Sequence, residues 1–222
     1  MKMVKTGGEN FQEWLEVVDA VYSGNGASRE AIFVHGWPDL IKETMAFVAK
    51  LYLESDRPKV VLNGLATYGV GAPGVSKCRD LLLEHGVVAS DIHEIPDAKY
   101  THAEADEFMK FAASRALSSA TIVSVPQHLL RAFLTDFAVM KTAGLTLSLY
   151  PRIVPRESFG WQEMYEFMPL LKKEPERATR LARFATECVR VLEYRARMEA
   201  GEKGYDIASI SEAHKYLHRH KR

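Results

Sequence analysis

The stretch ATIVSVPQHLLRA, residues 120–132, decides the fold. Thr121, Ile122 and Val123 make an apolar β-type run that stops at Ser124; a turn containing Pro126 follows, and a helix opens with His128 and, one turn on, Arg131. Strand, turn and helix in that order are part of a βαβ unit, and open α/β sheets gather ligands where strands end and helices begin. Residues three apart share a helix face, so His128 and Arg131 are expected to point into one crevice. An imidazole that titrates near neutrality beside a fixed cation suits an anionic substrate.

Outward from this segment the alternation repeats. Short apolar runs at 31–34, 59–62, 91–95, 121–125 and 145–150 read as strands, the last ended by Pro151. Helical patterns at 38–54, 75–85, 101–117 and 128–142 separate them, and Gly86 stops the second of these. Such alternation implies right-handed crossovers and a mostly parallel five-stranded sheet covered on both faces. The expected class is α/β, a doubly wound Rossmann-like αβα sandwich with strand order 3-2-1-4-5 and its switch point between strands 1 and 4. Upstream, Phe11, Trp14, Leu15, Val18 and Tyr22 mark one face of a short helix that starts at Asn10, with Glu13 as capping partner. After Pro155 no further strand is expected. A long helix is read over 174–200, with Leu181, Phe184, Cys188, Val191, Leu192 and Arg195 on its inward stripe and Gly201 past its end, then a short helix from about Ser209 into the basic tail HRHKR. The chain divides into an N-terminal helix (1–28), the α/β unit (29–155) and a helical extension (156–222) docked on it.

Bulk composition narrows the function. The 222 residues carry 29 Lys plus Arg and 29 Asp plus Glu, so no global field draws the chain to nucleic acid or an anionic membrane. No apolar run is long enough to span a bilayer, and Lys2 and Lys5 are followed by no signal-type stretch. Cys78 and Cys188 form no CxxC pair, which fits buried thiols in a reducing compartment. The expectation is a cytoplasmic protein with no nucleic-acid partner and no membrane span, of open oligomeric state.

Several motifs admit two readings. FVHGWPDL (33–40) suggests the oxyanion turn of an α/β-hydrolase, but the G-x-S-x-G elbow is missing and GVSKC (74–78) follows Ala72-Pro73 where a strand is needed. Gly36 is then backbone freedom at the end of strand 1, and His35 a turn histidine, packed or facing solvent. YGVGAPG (68–74) imitates a dinucleotide fingerprint with Glu94 beyond it, yet the preceding strand ends near Leu62 and Pro73 removes an amide; a flexible loop over the site fits better. Asn63-Gly64, at the end of strand 2, is the better ligand-facing pair. Thr101 and Glu104 form a T-x-x-E capping box, and Thr101 is equally placed to donate its hydroxyl to a ligand. The helix starts at Thr101 and His128 offer free amides to a phosphate or carboxylate. Ser124 ends its strand, and would act as a nucleophile only with His128 in reach. His85, His93 and His102 have no metal-ligand spacing, no metal is assigned, and His214, His218 and His220 read as a solvated helix end.

The order of these motifs resembles the SanA/YdcF/ElyC-like family, a domain of unknown function, over about residues 30–150. Val123, Ser124, His128, Arg131 and Ala132 follow its V-T-S-x-x-H-x-x-R-A segment, and Thr101, Glu104 and Ala105 its T-x-E-[EN]-A box. The resemblance implies a Rossmann-like sandwich and, for bacterial members, a link to envelope polymer or lipid-carrier metabolism. Many relatives carry a membrane anchor, and none is read in this chain. Ala103 replaces the acidic residue of the box, GVSKCRD lacks the acid common near the start of the second helix, and Gly36 stands alone before Trp37-Pro38. If those acids are catalytic in the family, the departures imply binding without turnover.

The reading that results is a small-molecule-binding protein, an enzyme or former enzyme, for a phosphorylated or nucleotide-like anion at the C-terminal edge of the sheet. His128 is its general acid or base. Arg131 holds the anion, with Ser124, Gly36, Asn63, Gly64, Thr101 and Glu104 in ligand-facing positions. The cofactor is unassigned, S-adenosylmethionine being conceivable by fold analogy. The alternatives are a non-catalytic binding or regulatory module that keeps the crevice, and a scaffold whose helical extension docks a protein. His128→Ala and Arg131→Ala are expected to abolish ligand-induced stabilisation and to leave the apo fold intact.

Overall fold

Continuous apolar runs make the strands because a parallel sheet covered on both faces has no wet side. In the computed structural model, which describes residues 10–24, 30–69, 72–155, 157, 159–167 and 176–219, these runs form β1 (Ala31–Val34), β2 (Lys59–Asn63), β3 (Ile92–Ile95), β4 (Ser119–Ser124) and β5 (Ser148–Ile153). All pairings are parallel, in the order β3-β2-β1-β4-β5. Val34 lies beside Leu62 on one side and Val123 on the other, so the ends of β1, β2 and β4 come level at the switch point.

Strand residues alternate between two cores. Phe33, Val61 and Ile122 face α1 (Phe11–Tyr22), α4 (Thr101–Ser114) and α5 (Leu129–Thr142), with Phe33 stacked on Phe108 at 4.2 Å between ring centroids. Ile32, Val34, Val60, Leu62 and Val123 face α2 (Ile41–Leu53) and α3 (Val75–Glu84). Each fully buried Ile or Leu contributes roughly 1.5–3 kcal/mol, so these layers supply the main drive to fold. Asn10 caps α1 by accepting from the Gln12 amide. Gly86, at φ 89°, ends α3 in the left-handed region that a side chain disfavours.

Most elements differ from the sequence reading by one to three residues at an end, and the larger differences have physical reasons. α2 starts at Ile41 rather than Pro38, because Leu40 takes a left-handed φ of 53° just before it. β5 runs through Pro151 to Ile153; it is an edge strand, where the missing amide costs no ladder bond. A hairpin follows where no strand was expected, β6 (Met164–Phe167) paired antiparallel with β7 (Glu176–Thr179). The long helix α6 (Arg180–Glu199) therefore starts later than 174, with Thr179 as its N-cap. Its buried face carries Arg180, Arg183, Glu187 and Val191, while Leu181 and Leu192, assigned inward from the sequence, are about half exposed.

The last helix, α7 (Ile210–Arg219), is opened by Ser209, whose hydroxyl accepts from the Glu212 amide while Glu212 Oε2 accepts from the Ser209 amide. Val17 and Val21 of α1 share a buried cluster with Ala213 and Leu217 of α7. Cys78 and Cys188 are free thiols. Among the described residues no helix is long and apolar enough to cross a membrane. Lys2, Lys5, most of the SGNGAS turn, Gly71 of the glycine loop, Glu174 and His220 with the end of the tail lie outside the described residues.

Candidate functional site

Glu104 is the hub of the switch point. It sits in the first turn of α4, but the cap expected of Thr101 and Glu104 does not form. Thr101 is already helical, the N-cap is Tyr100 with extended backbone, and no side chain caps it. Both side chains are thereby released to the crevice. Glu104 Oε1 accepts from the Gly36 amide at 2.9 Å and from Asn63 Nδ2 at 2.7 Å, and Oε2 lies 3.2 Å from His35 Nδ1. Asn63 is fully buried, donates also to the Ala98 carbonyl, and accepts on Oδ1 from the Ala98 and Leu65 amides. Gly36 admits this arrangement: a Cβ there would lie 2.7 Å from the Tyr68 ring.

The turn histidine His35 is neither solvent-facing nor neutral. Its Nε2 meets Asp136 Oδ2 of α5 at 2.9 Å while Nδ1 meets Glu104, and the ring is buried. Burial opposes the charged ring; the charge and hydrogen bond of Asp136, then Glu104, outweigh it and raise its pKa to about 10. Glu104–His35–Asp136 is thus an ion triad that ties β1 to α4 and α5.

A second cluster lies beside it. His128 precedes α5 and Arg131 is in its first turn, and the two converge as their spacing requires. The partner absent from the sequence reading is Glu187 of α6. Its Oε2 takes a charge-assisted bond from Arg131 Nε and lies 3.3 Å from His128 Nδ1. Arg131 Nη1 donates to Thr101 Oγ1 at 2.9 Å, and Thr101 Oγ1 is 3.4 Å from His128 Nε2. Nδ1 also lies 3.2 Å from Arg131 Nη2, and one nitrogen cannot donate to Glu187 and accept from Arg131 at once. We assign the proton to Nδ1, because a carboxylate is the stronger partner. Nε2 is then the acceptor, aimed at the Thr101 hydroxyl. Trp37 stacks on the ring at 4.5 Å, and burial, then the Arg131 charge, pull the His128 pKa down to about 4. The imidazole is neutral at physiological pH. Arg131, with His128 and Arg190 behind it, holds Glu187 far below the usual carboxylate range against its own burial.

These groups open onto a cavity of about 990 Å³. Gly36, Asn63, Thr101, Glu104, His128 and Arg131 line it; Gly64 and Ser124 do not. Gly64 serves a close approach, since a Cβ there would sit 2.5 Å from the Ile95 carbonyl oxygen. Ser124 is fully buried, and its hydroxyl has no hydrogen-bond partner among the described residues. Of the loop read over the site at 68–74, Tyr68 lines the cavity, together with Leu65, Ala66 and Thr67 just before it. The opposite wall comes from α6 and the segment after it: Arg183, Arg190, Tyr194, Lys203 and Tyr205. Asp136 had a sequence signal, the one acid in a stretch buried throughout from Leu129 to Met140 and apolar apart from Arg131 and Thr135. Glu187 had none toward the site, because Arg131 and His128 are 56 and 59 residues away and its near neighbour Arg190 reads as an ordinary i,i+3 helix pair.

Comparison of the chain with protein-family models, with curated proteins and with solved structures finds no match.

Proposed function

We propose that the protein binds a phosphorylated or nucleotide-like small anion in this cavity and acts on it through His128. What carries this reading is the set of guanidinium groups that line the cavity, Arg131 at the sheet end and Arg183 and Arg190 from α6, beside a neutral imidazole and with the Glu187 carboxylate between Arg131 and Arg190. A neutral histidine whose Nε2 faces the Thr101 hydroxyl can act as a base through it on a bound substrate, and guanidinium forks match phosphate oxygens. Trp37, Tyr68, Tyr194 and Tyr205 add aromatic surface suited to a base or sugar face. The resemblance to the SanA/YdcF/ElyC-like family points to the same crevice, and a cytoplasmic location fits the composition.

One observation favours the second reading, binding without turnover. Glu187 neutralises Arg131 and grips His128 in the unliganded protein, so an incoming anion must compete with a carboxylate already in place. Turnover of any compound that binds would decide for the enzyme.

The test is a thermal-shift panel of inorganic phosphate, pyrophosphate, nucleotides, sugar phosphates and S-adenosylmethionine. A ligand well above its Kd stabilises by about 2.7 kcal/mol at a hundredfold excess over Kd. Arg131→Ala alone is a poor control, because it takes the main counter-charge from the buried Glu187 carboxylate, leaving it Arg190 on one oxygen, and destabilises the apo fold. Arg131→Met with Glu187→Met removes both charges together. Phosphorylated compounds should raise the Tm of the wild type and not of the double variant. A panel that moves neither protein, or both alike, excludes the proposed site.

A further inference from the structure

Away from the cavity, α7 carries His214 and His218 four residues apart, so both rings leave the same face one turn from each other. Their centroids are 4.2 Å apart and the rings are inclined at 65°. Glu16 of α1 reaches across the helix interface and places Oε2 at 2.5 Å from His214 Nε2 and 3.4 Å from His218 Nε2. The three donor atoms fall within 4.8 Å of one another. Gln12, one turn before Glu16, donates to the other carboxylate oxygen at 2.7 Å and fixes its orientation.

An ion pair needs one imidazole. Here two present the same nitrogen to one carboxylate oxygen. Two imidazoles and a carboxylate are the donor set of a tetrahedral Zn²⁺ site with one open position. With ligand bonds of about 2.0–2.1 Å, donor atoms in such a site stand roughly 3.3 Å apart. His218 already meets that spacing against Glu16, and His214 needs to withdraw by less than about 1 Å. Glu16, His214 and His218 are 38, 23 and 46 % exposed, so an ion has an entry path and a water can fill the fourth position.

We propose that Glu16, His214 and His218 bind a divalent transition-metal ion, zinc best, which clasps α1 to α7 at the junction already packed by Val17, Val21, Ala213 and Leu217. The site is separate from the cavity, and its ligands take no part in it. Hard cations such as Mg²⁺, which favour all-oxygen shells, fit poorly. Because the site forms only when the two helices meet, bound metal adds directly to folding stability.

The experiment is calorimetric titration of ZnCl₂ into the chelator-stripped full chain, with Co²⁺ absorption as a report on geometry. One equivalent of Zn²⁺ should bind, Tm should rise, and Co²⁺ should give the intense visible bands of a tetrahedral site. His218→Ala, at a half-exposed position that the core does not need, should weaken binding at least tenfold, as should Glu16→Gln. Wild-type protein that takes up no Zn²⁺ stoichiometrically overturns the proposal. So does uptake that is unchanged in folded His218→Ala and Glu16→Gln, which would place the ion elsewhere.

Discussion

Glu187 Oε2 lies 3.3 Å from His128 Nδ1, and the same oxygen takes the Nε proton of Arg131. One carboxylate from the helical extension therefore sets both the tautomer of the histidine and the availability of the arginine. We predict that Glu187→Gln lowers unfolding stability by about 3–5 kcal/mol, the usual cost of breaking a buried pair. The same variant should bind pyrophosphate more tightly, because Arg131 is no longer neutralised. Urea unfolding and titration calorimetry read the two effects separately. Weaker pyrophosphate binding in the folded variant would mean that Glu187 does not compete with the ligand.

The acid limb of stability belongs in part to His128. Its folded pKa, about 4, is below the 6.5 of an ordinary histidine. A depressed base contributes its full stability above the unfolded value. Between pH 6.5 and about 4 the unfolded chain takes up a proton that the native ring refuses, so stability falls as pH falls. Denaturant midpoints across that window should fall more steeply in the wild type than in His128→Phe, which keeps a ring against Trp37. Equal slopes would show that His128 titrates normally.

His35 acts at the other end. Its folded pKa is raised to about 10, so its contribution is complete below about 6.5 and disappears as pH climbs through 10. Asp136→Asn removes the larger of the two supporting charges. We predict a loss of about 3 kcal/mol at neutral pH and an alkaline decline that begins lower than in the wild type. An alkaline unfolding profile indifferent to this substitution would argue against a charged ring.

Gly36→Ala tests how tightly the crevice floor is packed. The new Cβ would meet the Tyr68 ring at 2.7 Å and Glu104 Oε1 at 3.3 Å, and the Tyr68 hydroxyl is tied to the Asn63 carbonyl. Overpacking of this kind costs about 1–3 kcal/mol. A thermal melt should show it as a Tm several degrees lower. An unchanged Tm would mean that Tyr68 swings aside freely.

The sheet was legible because each central strand has a short apolar run at its heart, and a run such as AIFV, or VVL within KVVLN, suits a strand buried on both faces. The strand order followed from the alternation. The β6–β7 hairpin was not legible: each strand is only four residues, and ERAT opens on two charges with Ala178 as its one apolar residue, too little for an alternating pattern to register. For the site, local spacing was enough for His128 and Arg131, which share one helix start. It left the α4 pair with two readings, because Thr101 and Glu104 satisfy a capping pattern as well as a ligand-facing one, and only the tertiary pull of Arg131, Gly36 and Asn63 draws them inward. The inward face of α6 was misread for a related reason. Arg180 and Glu187 are buried there against charges from other elements, with Arg183 buried between them in sequence, so the polar side of the pattern is the inner one.

The account depends most on the cavity taking an anion at Arg131. Calorimetric titration of inorganic pyrophosphate into the wild-type chain and into Arg131→Met/Glu187→Met tests that directly. One saturable site in the wild type, lost in a double variant that stays folded, is the predicted result. No binding to the wild type, or the same affinity in both proteins, would contradict it.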